Sequence, residues 1–213
     1  MNPELIIFDC DGVLVDSEPI SNKVLAQLLT EIGLPTSYEQ SLKDFLGRSW
    51  PDIITIIETR FGKKTPDNLH CIYMNQMFAE FKIHLKPVKG IIKAISQISC
   101  QTCVASSGPH EKIKMTLSIT NLYDEFKGRI FSAADVANGK PAPDLFLHAA
   151  DKMSVDPLNT IVIEDSSAGI EAAIKANMKV LAYDPFGYNH HVPEFNGKTF
   201  SSMDQLTQNI VAL

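Results

Sequence analysis

The chain has 213 residues, 45% of them apolar and 21% charged, which fits a globular protein with room for one large domain or a core plus a smaller insert. A formal net charge of −6 without any basic cluster speaks against nucleic acid as a partner. No apolar run reaches the ~18 residues of a membrane span, and the first strand pattern starts at Leu5 with no leader before it. No membrane partner and a cytoplasmic location are therefore expected.

Leu5 to Phe8 is an unbroken apolar run that stops at Asp9-Cys10-Asp11-Gly12, the pattern of a short strand buried on both faces and ended by a turn. Apolar residues at Ile20, Val24, Leu25, Leu28, Leu29 and Ile32 recur with helical spacing, and Gly33-Leu34-Pro35 ends that helix. Further helices are predicted from Tyr38 to Leu46, Pro51 to Phe61 (with Ser49 as its cap) and Pro66 to Leu85. Past Pro87 helices and strands alternate. A helix from Gly90 to Ile98 precedes a strand at Thr102–Ala105 and a loop at Ser106–Pro109. A helix from Glu111 to Thr120 and a strand at Arg129–Phe131 follow. Gly139-Lys140-Pro141-Ala142-Pro143-Asp144 opens a helix to Lys152, and Thr160–Ile163 is a strand ending in Glu164-Asp165. A helix to Asn177 and a strand at Lys179–Tyr183 complete the pattern. The expected fold is α/β, a Rossmann-like, doubly wound parallel sheet formed by residues 1–14 and 87–213, with an all-helical insert at 15–86. The four cysteines are too few for a disulfide framework. Cys100 and Cys103 have the spacing of a redox or zinc pair, but no second pair or histidines at ligand spacing join them, so Cys103 reads as part of a buried strand.

Side chains repeat every second residue in a strand, so Asp9 and Asp11 fall on one side of the chain. Two carboxylates this close favour a cation between them, and hard oxygen donors suit Mg2+. Three strand ends carry chemistry: Asp9 and Asp11, Ser106, and Glu164 with Asp165. Lys140 comes from the loop before a further helix. Each is ordinary alone. An acid pair after a strand makes Asx turns, Ser106 is a common turn residue, Lys140 could be a solvated loop charge, and Glu164-Asp165-Ser166 could cap a helix. An EF-hand is excluded, because Val13 stands where that loop needs a ligand. Together at the carboxyl ends of parallel strands they point to a site.

Asp9 to Glu18 resembles the first motif of the haloacid dehalogenase superfamily, in particular its sugar-phosphate phosphatases and phosphomutases. Val104-Ala105-Ser106-Ser107, Gly139 to Asp144, and Glu164-Asp165-Ser166 with Gly169-Ile170 follow in that family's order and spacing. The resemblance implies Asp9 as nucleophile, Asp11 as acid/base, and Ser106 with the Ser107 N–H on the phosphoryl oxygens. It implies Lys140 as their positive partner and Mg2+ held by Asp9, Asp11, Glu164 and Asp165. The insert then resembles a cap domain, whose segment Phe45 to Trp50 would face substrate through Arg48 and Ser49. Trp50 is expected to pack internally and His190-His191 to lie on a solvated surface. The implied activity is release of phosphate from a small phosphate ester, with 6-phosphogluconate a candidate substrate and a monomer or weak homodimer the expected state. A beta-phosphoglucomutase-type activity is the alternative; the histidine and the polar and lysine phosphate contacts of that branch align with Ser21, Gly108 and Pro109. A non-catalytic receiver-like module is the rival from another class, though it needs neither Asp11 nor a helical insert.

Overall fold

The computed structural model describes residues 3–187, 192 and 195–213; His190 and His191 lie outside them. β1 (Leu5–Phe8) is buried along its whole length. Four helices follow, α1 (Glu18–Glu31), α2 (Tyr38–Phe45), α3 (Trp50–Phe61) and α4 (Leu69–His84). Their apolar stripes meet in a core of Leu25, Leu28, Leu29, Phe45, Ile53 and Ile57. Two of them start on serine caps: Ser37 accepts from the Gln40 N–H at 3.2 Å, and Ser49 from the Asp52 N–H at 3.4 Å. The Ser49 cap moves the start of α3 back to Trp50. α4 starts at Leu69 rather than Pro66, because residues 66–68 form a turn in which the Leu69 N–H bonds the Pro66 carbonyl at 3.0 Å.

The rest of the chain alternates: α5 (Ile91–Ser96), β2 (Gln101–Ser106), α6 (His110–Ile119), α7 (Tyr123–Phe126) and β3 (Ile130–Ser132), then α8 (Asp144–Lys152), β4 (Thr160–Glu164) and α9 (Ser167–Lys175), and lastly β5 (Lys179–Tyr183), β6 (Lys198–Phe200) and α10 (Leu206–Val211). The strands form one sheet in the order β3-β2-β1-β4-β5-β6, and every pair is parallel. Alternation along β1 sends Leu5 and Ile7 into a core with Cys103, Val162, Phe146 of α8 and Ile170 of α9. Phe8, on the opposite parity, meets Phe126 of α7 edge-on with ring centres 6.1 Å apart. Each such fully buried side chain stabilises the fold by about 1.5–3 kcal/mol. Cys103 sits in this core, where burial pushes its thiol up to about 12.

The chain divides into two compact units, 1–16 with 86–213, and 17–85. Val15 and Asp16 stay with the sheet-bearing unit because Val15 bridges to Pro87 and the Asp16 N–H bonds the Lys86 carbonyl at 2.9 Å. Among the described residues no helix is long and apolar enough to cross a membrane. In the sheet, β2 and β3 lie to one side of β1 and β4, β5 and β6 to the other. The order of strands reverses there, so the crevice that binds ligands in such folds opens at the carboxyl ends of β1, β2 and β4.

Candidate active site

Asp9 is the first residue beyond β1, and its N–H extends the sheet ladder by bonding the Ile163 carbonyl at 3.0 Å. That bond fixes the backbone, so the carboxyl group leaves a rigid strand tip and not a loose loop. It is only 7% exposed. Burial pushes it up from an ordinary 3.8 to about 7, against the pull of Lys140 and with added pressure from Glu164 and Asp11.

Lys140 ties three strand tips together. Its Nζ donates to Asp9 Oδ1 at 2.5 Å, to the Ala105 carbonyl of β2 at 3.1 Å and to Glu164 Oε1 of β4 at 2.7 Å. The ammonium also lies 4.7 Å from the centre of the Phe146 ring. Burial works against this charge, but Asp9 and Glu164 outweigh it and hold the lysine protonated well above its usual range. Three donors on three acceptors satisfy it completely.

Glu164, the last residue of β4, is fully buried. While Oε1 accepts from Lys140, Oε2 accepts from the Ser166 N–H at 2.8 Å and the Ser166 hydroxyl at 2.9 Å. The Ser166 hydroxyl oxygen in turn accepts from the Gly169 N–H at 3.1 Å, capping α9. A Cβ on Gly169 would stand 1.7 Å from Glu164 Oε1, so the glycine is required for the carboxylate to lie there. Of the four acids expected around a metal, Glu164 thus has both oxygens engaged by protein donors.

Asp165 is placed by a second glycine. Gly12 has φ +77°, and a Cβ on it would stand 1.8 Å from Asp165 Oδ2. The Asp165 carboxylate therefore rests directly on the turn that carries Asp9 and Asp11. Its charge reaches Tyr183 at the end of β5, which burial, Asp16 and Asp165 push up to about 12.

Ser106 ends β2, 1% exposed, with its Oγ accepting the Gly108 N–H at 3.2 Å, and Ser107 beside it is exposed. Asp11 Oδ2 accepts from Lys112 Nζ of α6 at 2.8 Å. Asp9, Asp11, Ser106, Lys140, Glu164 and Asp165 all meet at the carboxyl end of the sheet. Cys10, between the two aspartates, is buried and touches Thr116 Oγ1 at 3.7 Å; burial and then Asp11 and Asp9 hold its thiol protonated. In the helical unit Arg48 and Ser49 are exposed. The Ser49 hydroxyl is engaged by the α3 cap and by Asp52 Oδ2 at 2.6 Å, and Trp50 stacks on Tyr73 with ring centres 5.1 Å apart. Sequence reasoning passed over Lys112, which reads as one more charge in His110-Glu111-Lys112-Ile113-Lys114, and gave Gly169 no role. A glycine at a fixed offset from a strand-end acid is a signal for close approach.

Divalent-cation binding can be tested against this arrangement. Among the described residues no three His, Cys, Asp or Glu side chains converge as a ready-made metal cage. The Asp9 and Asp165 carboxylates with a main-chain carbonyl and solvent nonetheless form the hard, partly hydrated oxygen set that suits Mg2+. The upward pressure on Asp9 is of the kind a bound cation relieves. The residues fit.

Fold and site together define a hydrolase built on a Rossmann-like parallel sheet. The chain belongs to the haloacid dehalogenase-like hydrolase family, whose sequence pattern matches residues 6–183. Over 206 residues it is 31% identical to the 6-phosphogluconate phosphatase of Escherichia coli strain K12, covering 96% of this chain and 93% of that one. Hexitol phosphatase B of the same organism is 26% identical over 178 residues, 81% of this chain and 80% of that protein. A crystal structure of a conserved haloacid dehalogenase-like protein of unknown function from Agrobacterium tumefaciens superposes with a TM-score of 0.89 at 32% identity, covering 98% of each chain.

Proposed function

We propose that this chain is a Mg2+-dependent phosphatase that hydrolyses a sugar phosphate or sugar-acid phosphate, 6-phosphogluconate foremost, through an aspartyl-phosphate on Asp9. One observation carries the reading: Lys140, tied to Asp9 Oδ1, Glu164 Oε1 and the Ala105 carbonyl, puts a permanent positive charge at the joined tips of β1, β2 and β4. A negatively charged phosphoryl group entering this crevice meets that charge and the Ser106 hydroxyl. The 6-phosphogluconate and hexitol phosphatases among the relatives support the substrate class.

An Asp9 carboxylate oxygen attacks phosphorus, and the bond to the ester oxygen breaks with its electron pair leaving on that oxygen. Asp11 gives the departing oxygen a proton. Water then attacks phosphorus, loses a proton to Asp11, and the phosphorus–Asp9 bond breaks to release inorganic phosphate. Asp9, Asp165 and the Asp11 carbonyl would hold Mg2+, which supplies charge to offset repulsion between carboxylate and phosphoryl oxygens. Glu164 positions Lys140. Arg48, exposed on the helical unit, is assigned to discrimination among substrates, and we assign residues 17–85 the part of a cap domain.

A phosphate-release assay over sugar phosphates, sugar-acid phosphates and nucleotides, with and without Mg2+, tests this. Mg2+-dependent release that vanishes in Asp9→Asn is the expected result. Conversion of beta-glucose 1-phosphate to glucose 6-phosphate without net release would establish the mutase instead. Arg48→Ala should alter the ranking of substrates, and an equal loss on all of them would remove it from that role.

A further inference from the structure

Lys112 has no part in the chemistry described above, and three observations converge on its contact with Asp11. First, Lys112 Nζ donates to Asp11 Oδ2 at 2.8 Å, with the lysine side chain 17% exposed and the aspartate 23%. Second, Asp11 Oδ1 is buried and has no hydrogen-bond partner among the described residues. The two oxygens of one carboxyl group are therefore unequal: one is clamped, the other is buried without a partner among the described residues. Third, the lysine's path is built for it. Its Cδ lies 3.3 Å from where a Cβ on Gly108 would stand, so the stem runs close over the loop after Ser106. One turn further along α6, Thr116 Oγ1 bonds the Lys112 carbonyl at 3.1 Å and touches Cys10 Sγ at 3.7 Å. The same face of α6 thus meets two successive residues of the Asp9–Gly12 turn, Cys10 through Thr116 and Asp11 through Lys112.

The geometry points to Lys112 as the positioning residue of Asp11: by holding Oδ2 it presents Oδ1 as the atom that exchanges the proton with the leaving group and with water. The inference rests on the phosphatase reading. As the phosphorus–ester bond breaks, the proton on Oδ1 passes to the ester oxygen, and the carboxylate that remains is stabilised across 2.8 Å by the lysine ammonium. Water attacking the aspartyl-phosphate returns a proton to the same Oδ1, so Lys112 itself neither gains nor loses one. A lysine that merely packed against the loop would do nothing for this step. One that bound the phosphate would act on substrate affinity.

Proton donation matters most for poor leaving groups, and that separates these roles. Lys112→Met and Lys112→Arg are compared with the unaltered chain on a sugar phosphate, whose alkoxide leaves only when protonated, and on p-nitrophenyl phosphate, whose phenolate leaves readily. The methionine variant should lose about 30-fold in kcat on the sugar phosphate with KM unchanged, and less than about threefold on the aryl ester. The arginine variant should recover most of the loss. Thermal unfolding of both variants establishes that they fold. A loss of equal size on both esters, a change confined to KM, or full activity in Lys112→Met overturns the assignment while the phosphatase reading stands. Absence of phosphate release from any ester by the unaltered chain overturns both.

Discussion

Lys140 holds together two buried carboxylates that could not otherwise be ionised side by side. Removing one partner of such a cluster leaves the others as uncompensated buried charges. Lys140→Met should therefore cost about 3–5 kcal/mol of folding stability, read by denaturant unfolding, and abolish turnover as well. The Gly169→Ala change acts on the same cluster from outside it. The added Cβ would fall 1.7 Å from Glu164 Oε1, so the carboxylate must swing and its bond to Lys140 must lengthen. That variant should keep its fold and lose at least about tenfold in kcat, since an ångström of displacement at a charged site costs at least that much. Normal turnover would show that Glu164 does not hold the lysine in place. Asp9, Asp11 and Gly12 were legible from sequence because their chemistry is local: an apolar strand, acids with strand spacing, a residue free to turn. Lys112 was not, because a lysine six residues past a strand end has no local feature that distinguishes it from a solvated one.

At the scale of elements, two serine caps of the same chemistry have unequal consequences. Ser37 caps α2 and does nothing else at the sheet, whereas Ser166 caps α9 and also donates to Glu164 Oε2 at 2.9 Å. Each replacement by alanine should lower stability by about 1 kcal/mol. Ser37→Ala should leave phosphate release unchanged, and Ser166→Ala should reduce it; assays of both on one substrate compare them directly. The strands of the central sheet were readable as short, mostly apolar runs, and their parallel arrangement followed from alternation with helices; their order was not read from the sequence. β6 was not readable, because of its three residues only Phe200 is buried, too short a stretch for any period to show. The start of α4 was misjudged for a similar reason: proline marks the beginning of a helix or of the turn before it, and only tertiary packing decides.

For the molecule as a whole, Asp9 couples stability to pH. Its carboxyl group titrates near 7 in the fold and near 3.8 when free, so between those values the folded chain holds a proton that the unfolded chain has released. Its contribution to stability is fully present below about 3.8 and is lost as pH rises through about 7. A cation bound to ionised Asp9 works in the opposite sense. Added Mg2+ should raise the melting temperature more at about pH 8 than at about pH 5, and differential scanning calorimetry in the two buffers measures it. A shift of equal size at both values would show that the ion binds elsewhere. The division into units was legible because residues between the first and second strands carry helical spacing only. Its edges were not, since the ties at Val15 and Asp16 are backbone bonds to a segment seventy residues away in the sequence.

The ammonium on Asp9 comes from a residue 131 positions further along the chain, and it also grips β2 and β4. No fragment that stops short of β4, and no intermediate in which that strand has yet to dock, can assemble the charge pattern. Long-range parallel pairing is among the later events of folding. During refolding from denaturant, phosphate release should accordingly return with completion of the sheet and lag behind the helical circular dichroism signal. A half-made copy of this protein is thereby silent toward the metabolites around it.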